Sequence, residues 1–224
     1  MINLQSKNFG NRNPNLPIDM IVIHYTGMKT KEMAITRMCD PNSEVSAHYL
    51  IDEKGITYKL VSEKYRAWHA GVSYWRGELD TNSRSIGIEL QNPGYDFGYV
   101  NFSDLQMRAL IKLTKEIINR HGISKRMVLG HSDVAPDRKI DPGHLFNWKL
   151  LAQDEVGFWP QCSPRKPPAD HDQIRDTITK IGYNPNISLE DVIKAVQRHY
   201  RPTLIDGKID AESWGIISEL AKVL

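Results

Sequence analysis

The sequence predicts an α/β (α+β) fold in which helices flank a central mixed β-sheet, followed by a small helical unit. Three observations predict it. Apolar strand-like segments alternate with helical patterns in the first part of the chain, a stretch with three prolines interrupts them, and only helical patterns follow. We therefore expect a domain over 1–160, a linker over 161–170 and a three-helix domain over 171–224.

The first predicted strands lie between residues 20 and 60. The run 20–26 is apolar and β-branched, as is typical of a strand buried on both faces, and Gly27 ends it before a helical stretch. Segments 47–52 and 56–60 also have strand character. The turn at 53–55 separates them, so the sequence predicts a hairpin here.

Two further strands and a long helix complete the predicted first domain. Segment 85–91 is predicted to be a strand, and 126–129 a short strand that leads into a loop over 132–144. Between them, the apolar residues of 103–120 fall near helical spacing, and Ser103 is a suitable N-cap. This pattern is typical of an amphipathic helix.

The last part of the chain predicts three short helices. They cover about 173–181, 189–199 after the cap Ser188, and 211–223 after the cap Asp210. A unit of this length is expected to be a compact three-helix domain.

Composition excludes some classes of partner. The 29 basic and 27 acidic residues are interspersed and leave a net charge of +2, so we expect no nucleic-acid partner. No apolar run reaches the ~20 residues of a transmembrane helix. The polar start predicts a cytoplasmic protein if Met1 is the native first residue, and a periplasmic or envelope-associated one if a leader has been removed. Cys39 and Cys162 allow one disulfide or two free thiols.

Three residues form a candidate metal site. His24 lies at the end of a predicted strand, His131 follows another, and Asp141 lies ten residues on in a loop constrained by proline and glycine. Two imidazoles and one carboxylate suit zinc and leave a fourth position for water, as in catalytic sites. The chain has eight histidines, however, and spacing alone leaves open that each is an ordinary buried or surface histidine.

A family resemblance adds to this pattern. It rests on five ordered stretches: VIHYT at 22–26, SAHYLID at 46–52, RAWHAG at 66–71, SIGIEL at 85–90, and GHSDVAPDRKIDPG at 130–143. Together they resemble the zinc-dependent N-acetylmuramoyl-L-alanine amidases of the AmpD and AmiD types, and the last stretch is highly specific. The resemblance implies a peptidoglycan-recognition-protein-like amidase fold.

The same resemblance implies a reaction and its residues. It implies hydrolysis of the amide between the lactyl group of N-acetylmuramic acid, or its 1,6-anhydro form, and L-alanine of the stem peptide. One zinc ion is implied on His24, His131 and Asp141, with Glu89 as general base and Lys139 as stabiliser of the oxyanion. The implied partner is peptidoglycan or a muropeptide, and we expect a monomer.

Both proposed catalytic residues have a simpler alternative. An unpaired buried Glu89 costs several kcal/mol in an apolar strand, so an inward-facing ion pair is the alternative to a catalytic base. Lys139 lies two residues before Asp141, which places a cation near the metal, but an ordinary loop lysine is solvated.

Substrate contacts are predicted at His69, Asn82 and Arg84. The first two occupy positions that line the substrate groove in similar amidases, and the alternative is that both are structural hydrogen-bonding groups. Many similar amidases have arginine two residues before the asparagine, where this chain has Asp80. Either Arg84 compensates or the stem peptide is recognised differently.

The remaining candidates are predicted to be structural. His48 is predicted to be a packed strand histidine and His144 a neighbour of the metal loop, and Cys39 lacks the signals of a nucleophile. Residues 195–214 resemble the appended helical domain of the AmiD type, and this unit either binds glycan or simply packs. Two other functions stay open: a peptidoglycan-binding protein without catalysis, which would have an incomplete metal set, and a structural or regulatory envelope protein, which would lack metal.

Overall fold

The computed structural model describes residues 1–222 and confirms the predicted fold class. The predicted last helix extends to Val223, which lies outside the described residues. No helix within residues 1–222 is long and apolar enough to cross a membrane.

Within residues 1–222, eight strands form two sheets. The strands are β1 (Ile2–Asn3), β2 (Phe9–Asn11), β3 (Met20–Tyr25), β4 (Tyr49–Ile51), β5 (Thr57–Lys59), β6 (Tyr65–Ala67), β7 (Ser85–Leu90) and β8 (Val128–Gly130). Six of them form a mixed sheet in the order β1-β5-β4-β7-β3-β8, and β2 pairs with β6 in a separate antiparallel pair. The predicted hairpin is confirmed as the antiparallel pair β4–β5.

The described part of the chain also contains nine α-helices. They are α1 (Lys31–Cys39), α2 (Thr81–Arg84), α3 (Gly94–Phe97), α4 (Asp104–His121), α5 (His131–Val134), α6 (Trp148–Gln153), α7 (His171–Ile181), α8 (Leu189–Tyr200) and α9 (Ala211–Lys222). The predicted caps Ser103 and Ser188 accept hydrogen bonds from the first turns of α4 and α8. Asp210 accepts one from Ser213 in α9.

Strand β3 lies at the centre of the fold. Residues 20–23 are fully buried, as the apolar run predicts, and β3 is paired in parallel with β7 on one side and β8 on the other. The carboxyl ends of these three strands therefore lie side by side at one edge of the sheet.

Two predicted elements are wrong in detail. The sequence predicts a strand over 126–129, but Lys125–Met127 is a 3₁₀ turn, because the Ser124 side chain accepts from the Arg126 backbone. The strand is β8, which begins only at Val128. The loop expected over 132–144 begins as helix α5, since the Asp133 side chain accepts from the Gly130 backbone at its start.

The three C-terminal helices pack together and against the rest of the molecule. Helix α9 contacts both α7 and α8, and α8 contacts α5. Ile174 and Ile217 belong to the same buried apolar cluster as Ile21 and Ile88 of the central sheet. Packing is thus continuous across the predicted linker, and the division at 161–170 stays a prediction.

Candidate metal centre and active site

The candidate site lies where β7, β3 and β8 end. In the parallel register His24 is opposite Glu89, so both side chains lie on the same face of the sheet. Ile23 is opposite Gly130, and His131 follows directly. Ligand sites in open α/β sheets typically lie at these carboxyl ends, because the strands there deliver side chains to one place.

The three predicted metal ligands meet in a tight cluster. His24 Nδ1 lies 3.0 Å from His131 Nδ1 and 3.0 Å from Asp141 Oδ2, and the distance from His131 Nδ1 to Asp141 Oδ2 is 3.1 Å. All three residues are buried, and within residues 1–222 they form the one cluster of this kind. Metal–ligand distances of ~2.0–2.2 Å allow one ion to contact all three atoms.

Hydrogen bonds determine which ring nitrogen of His24 has a lone pair available for a metal. The Ser85 hydroxyl donates to Thr81 O (2.6 Å), so it accepts from His69 Nε2 (3.2 Å). Burial, with the charges of neighbouring histidines, lowers the pKa of His69 well below its usual value, so its ring is neutral and its Nδ1 accepts from His24 Nε2 (3.0 Å). His24 Nδ1 then keeps a lone pair.

A hydrogen bond also determines the orientation of the His131 ring. Its Nε2 donates to the Ala70 carbonyl (3.0 Å), which leaves the Nδ1 lone pair directed at His24 and Asp141. Burial and the charge of His131 lower the pKa of His24 to about 4, so its ring is neutral at pH 7. Two nitrogen lone pairs and a carboxylate oxygen therefore converge, an arrangement that a bound cation stabilises.

Glu89 lies beside this cluster without a partner. Its Oε2 atom is shielded from solvent and accepts no hydrogen bond, and within residues 1–222 the side chain forms no ion pair. The alternative of an inward-facing ion pair is thus wrong. Burial, with the nearby charge of Asp141, raises the pKa of Glu89 to about 8, while Lys139 opposes this rise.

A cavity of about 440 Å³ opens onto the cluster. It is lined by the three ligands, Glu89 and Lys139 together with Tyr25, Trp68, His69, Tyr95, Arg138 and others. A second cavity of about 500 Å³ adjoins it and shares Trp68, His69, His131 and Lys139 with it. The two form a groove that passes directly over the candidate metal ligands.

The predicted substrate residues lie in three different settings. His69 lines both cavities but also supports His24. Asn82 lines the second cavity, and its Oδ1 accepts from the backbones of His69 and Ala70. Arg84 lines neither cavity and instead binds Asp19 through two hydrogen bonds. The predicted role of Arg84 in substrate binding therefore has no geometric support.

Other cations lie in the groove. Arg66 lines the second cavity and pairs with Asp80, the residue that departs from the similar amidases (2.9 Å). Arg138 lines both cavities and donates to the carbonyls of Ala70 and Val72. Both arginines lie within the stretches that resemble the amidase family, but the sequence of these stretches does not show which of their side chains face the groove.

The residues predicted to be structural lie outside the ligand cluster of the described chain. His48 is fully buried and accepts from the Gly87 backbone through Nδ1 (2.9 Å), but it lies just before β4 and not in a strand as predicted. His144 lies outside the ligand cluster and hydrogen-bonds Tyr95 (2.5 Å). Cys39 and Cys162 are free thiols, and burial raises the pKa of Cys39, which makes it a poor nucleophile.

Sequence comparisons place these features in a family. Residues 14–144 match the family model described as N-acetylmuramoyl-L-alanine amidase. The N-acetylmuramoyl-L-alanine amidase AmiD of Escherichia coli K12 is 38% identical over 91% of this chain and 82% of its own length. The 1,6-anhydro-N-acetylmuramyl-L-alanine amidase AmpD of Haemophilus influenzae is 34% identical over 65% of this chain and 87% of its own.

Solved structures show the same similarity. E. coli AmiD, in complex with anhydro-N-acetylmuramic acid-L-Ala-D-γ-Glu-L-Lys, superposes with a TM-score of 0.83 and 34% identity over 97% of this chain and 98% of its own. AmpDh3 of Pseudomonas aeruginosa, in complex with anhydromuramic pentapeptide, has a TM-score of 0.85 and 28% identity over 100% of this chain and 99% of its own.

Proposed function

The chain belongs to the N-acetylmuramoyl-L-alanine amidase family, and we propose that it uses one zinc ion to cleave the amide between the lactyl group of N-acetylmuramic acid and L-alanine. The 1,6-anhydro form is included, because the AmiD and AmpDh3 structures hold anhydromuramyl peptides. One observation carries the proposal: three metal-ligating atoms converge beside an unpartnered carboxylate in a groove.

Zinc is the metal that best fits the donors. His24, His131 and Asp141 offer two neutral nitrogens and one carboxylate oxygen, the set found in catalytic zinc sites with an open position. When bound, zinc supplies a Lewis acid that lowers the pKa of water and polarises a carbonyl. The groove leads directly to this position.

Glu89 is the proposed general base. Its unpartnered Oε2 is free to accept a proton from the attacking water and then to return it to the amine of the departing L-alanine. A pKa raised to about 8 in the protein alone favours proton uptake, and the positive charge of a metal lowers this pKa again, so that the group is ionised before attack.

Lys139 is the proposed stabiliser of the oxyanion. It lines the same cavity as Glu89 and the metal ligands, and its ammonium forms no ion pair within residues 1–222. Negative charge that develops on the lactyl carbonyl oxygen is therefore stabilised by a nearby cation in a partly dehydrated site.

The second cavity is the proposed site of the stem peptide. Arg66 and Arg138 supply cations for the peptide's carboxylates, and Asn82 also lines this cavity. His69 is proposed to act mainly on His24, because their hydrogen bond uses His69 Nδ1.

Metal analysis and a digestion test the proposal together. The purified protein is assayed for bound metals and incubated with anhydro-N-acetylmuramic acid-L-Ala-D-γ-Glu-L-Lys, and the products are read by mass spectrometry. We expect one zinc per chain and release of the intact tripeptide.

Two results would contradict the proposal. Tight binding of the muropeptide without its release would indicate a binding protein without catalysis, whether or not zinc is bound. Neither zinc nor release contradicts the proposal. Parallel digestions of the non-anhydro muropeptide and of polymeric wall show which form is preferred.

A further inference from the structure

The short helix α5, which begins at His131, is held by side chains of the C-terminal region, one from helix α8 and one from the loop before it. Asp133, two residues after His131, is 1% exposed. Its Oδ2 accepts from the Gly130 backbone (2.7 Å) and from His199 Nδ1 (2.8 Å), and its Oδ1 accepts from the Tyr183 hydroxyl (3.0 Å). Both side-chain donors lie in the predicted C-terminal domain.

The capped turn also sets the position of Asp141. The Ser132 backbone donates to the Asp141 carbonyl (2.9 Å), so the start of α5 holds the segments of two metal ligands. Gly130 packs closely against the residue that follows Asp141, because a Cβ at position 130 would lie 2.8 Å from Pro142 Cδ. A small shift of this turn therefore moves His131 and Asp141 together.

His199 is fixed by packing as well as by its hydrogen bond. Its ring stacks on Trp148 at a centroid distance of 3.8 Å and on Tyr200 at 3.9 Å, and the residue is 2% exposed. Tyr183 packs edge-on against Trp75 at 5.0 Å. The two donors to Asp133 thus come from rigid, buried positions, which is the property needed to orient another group.

We propose that His199 and Tyr183 are positioning residues of the metal centre, which act through Asp133 on the turn that presents His131. This inference rests on the proposed metal site and gives the C-terminal region a part in it. The effect is mechanical. The two donors orient the Asp133 carboxylate, the carboxylate holds the Gly130 backbone, and the Gly130 backbone sets the position of His131.

The test compares variants that separate the hydrogen bond from the packing. His199→Phe keeps an aromatic ring between Trp148 and Tyr200 but loses the donor, whereas His199→Asn places an amide donor near the Nδ1 position and loses the ring. Tyr183→Phe removes only the hydroxyl. Tyr200→Phe removes a neighbouring hydroxyl that makes no hydrogen bond to Asp133 and serves as the control.

The readout is Zn²⁺ affinity, measured by competition with a chromophoric chelator, beside thermal unfolding of the same samples. We expect His199→Phe and Tyr183→Phe to bind Zn²⁺ about tenfold more weakly, the usual effect of losing such a supporting contact. His199→Asn and Tyr200→Phe should bind like the wild type, although the lost stacking should make His199→Asn the less stable of the two His199 variants.

A purely structural role gives a different pattern. If Zn²⁺ affinity follows thermal stability instead of the hydrogen bond, or if Tyr183→Phe and His199→Phe bind Zn²⁺ as tightly as the wild type, the inference is wrong and the proposed function is untouched. A wild-type protein that binds no Zn²⁺ overturns both. Because Tyr183→Phe removes a single hydroxyl, it provides the test even if His199→Phe does not fold.

Discussion

Two glutamates of this protein, Glu63 and Glu89, are both partly withdrawn from solvent but have opposite surroundings. The Glu63 carboxylate accepts hydrogen bonds from Tyr49, Arg120 and His121. Burial alone raises its pKa, but these three donors outweigh burial and lower the pKa of Glu63 to about 2. Glu89 has a shielded oxygen with no donor, and its pKa rises to about 8.

The difference separates a stabilising carboxylate from a reactive one. A buried carboxylate that is fully hydrogen-bonded contributes to folding, whereas one without a donor costs free energy and persists where function requires it. On this basis we assign the Glu63 cluster to the scaffold and propose Glu89 for the chemistry. Changes near Glu89 should therefore affect turnover, and changes at Glu63 should affect stability.

The largest effect is expected at the metal ligands beside Glu89. Asp141→Ala leaves two of three donors, so Zn²⁺ binding should be lost and release of the stem peptide should fall to background. Elemental analysis and mass spectrometry of a muropeptide digest measure both. Asp137→Ala, an exposed acid in the same loop, is the matched control and should keep both properties.

A smaller loss of activity is expected at Lys139. Lys139→Met removes the cation from the cavity, so kcat should fall by about 10²–10³-fold while Zn²⁺ stays bound. Steady-state kinetics measure this, with the exposed Lys149→Met as control. An unchanged kcat would assign Lys139 to the solvated loop instead.

Glu63→Gln should lower the stability of the protein without lowering its activity. The amide cannot serve as a charged acceptor for Arg120 and His121, so the free energy of unfolding should fall by about 2 kcal/mol, as for lost hydrogen bonds to a charged group. Turnover at 25 °C should not change. Denaturant unfolding measures the loss, and Glu116→Gln, an exposed acid on the same helix that accepts no side-chain hydrogen bond in the described chain, should show a much smaller one.

The smallest effect is a pH dependence of the stability difference between wild type and Glu63→Gln. In the folded protein the pKa of Glu63 is lowered to about 2 from its ordinary value of 4.5, so its contribution to stability is present above pH ~4.5 and is lost as pH falls towards ~2. The gap between wild type and Glu63→Gln should therefore shrink over this interval. A gap of constant size from pH 5 to 2.5 would show that the ionised form of Glu63 is not what stabilises the fold.

Much of the fold and site could be predicted because the decisive residues lie in regular elements. The apolar run of β3 predicts a central strand, and motif resemblance places His24, His131 and Asp141 in one site. The short strands β1 and β2 were not predicted, since two or three exposed residues carry too little periodicity.

The features that the sequence does not predict depend on long-range hydrogen bonds. Nothing in the sequence shows that Asp133 receives its donors from residues 50 and 66 positions away, or that Arg84 pairs with Asp19 rather than lining the groove. Glu63 likewise shows no pattern that distinguishes it from a surface acid, because its three donors come from α4 and β4. Such contacts depend on tertiary packing.

The most direct test of the contrast between Glu89 and Glu63 is Glu89→Gln, which keeps the shape of the Glu89 side chain and removes its basicity. We predict a fall in kcat of about 10³-fold, with one zinc per chain retained and a free energy of unfolding equal to or above that of the wild type. Release of the stem peptide at the wild-type rate by zinc-loaded Glu89→Gln would contradict the assignment of Glu89 as the base.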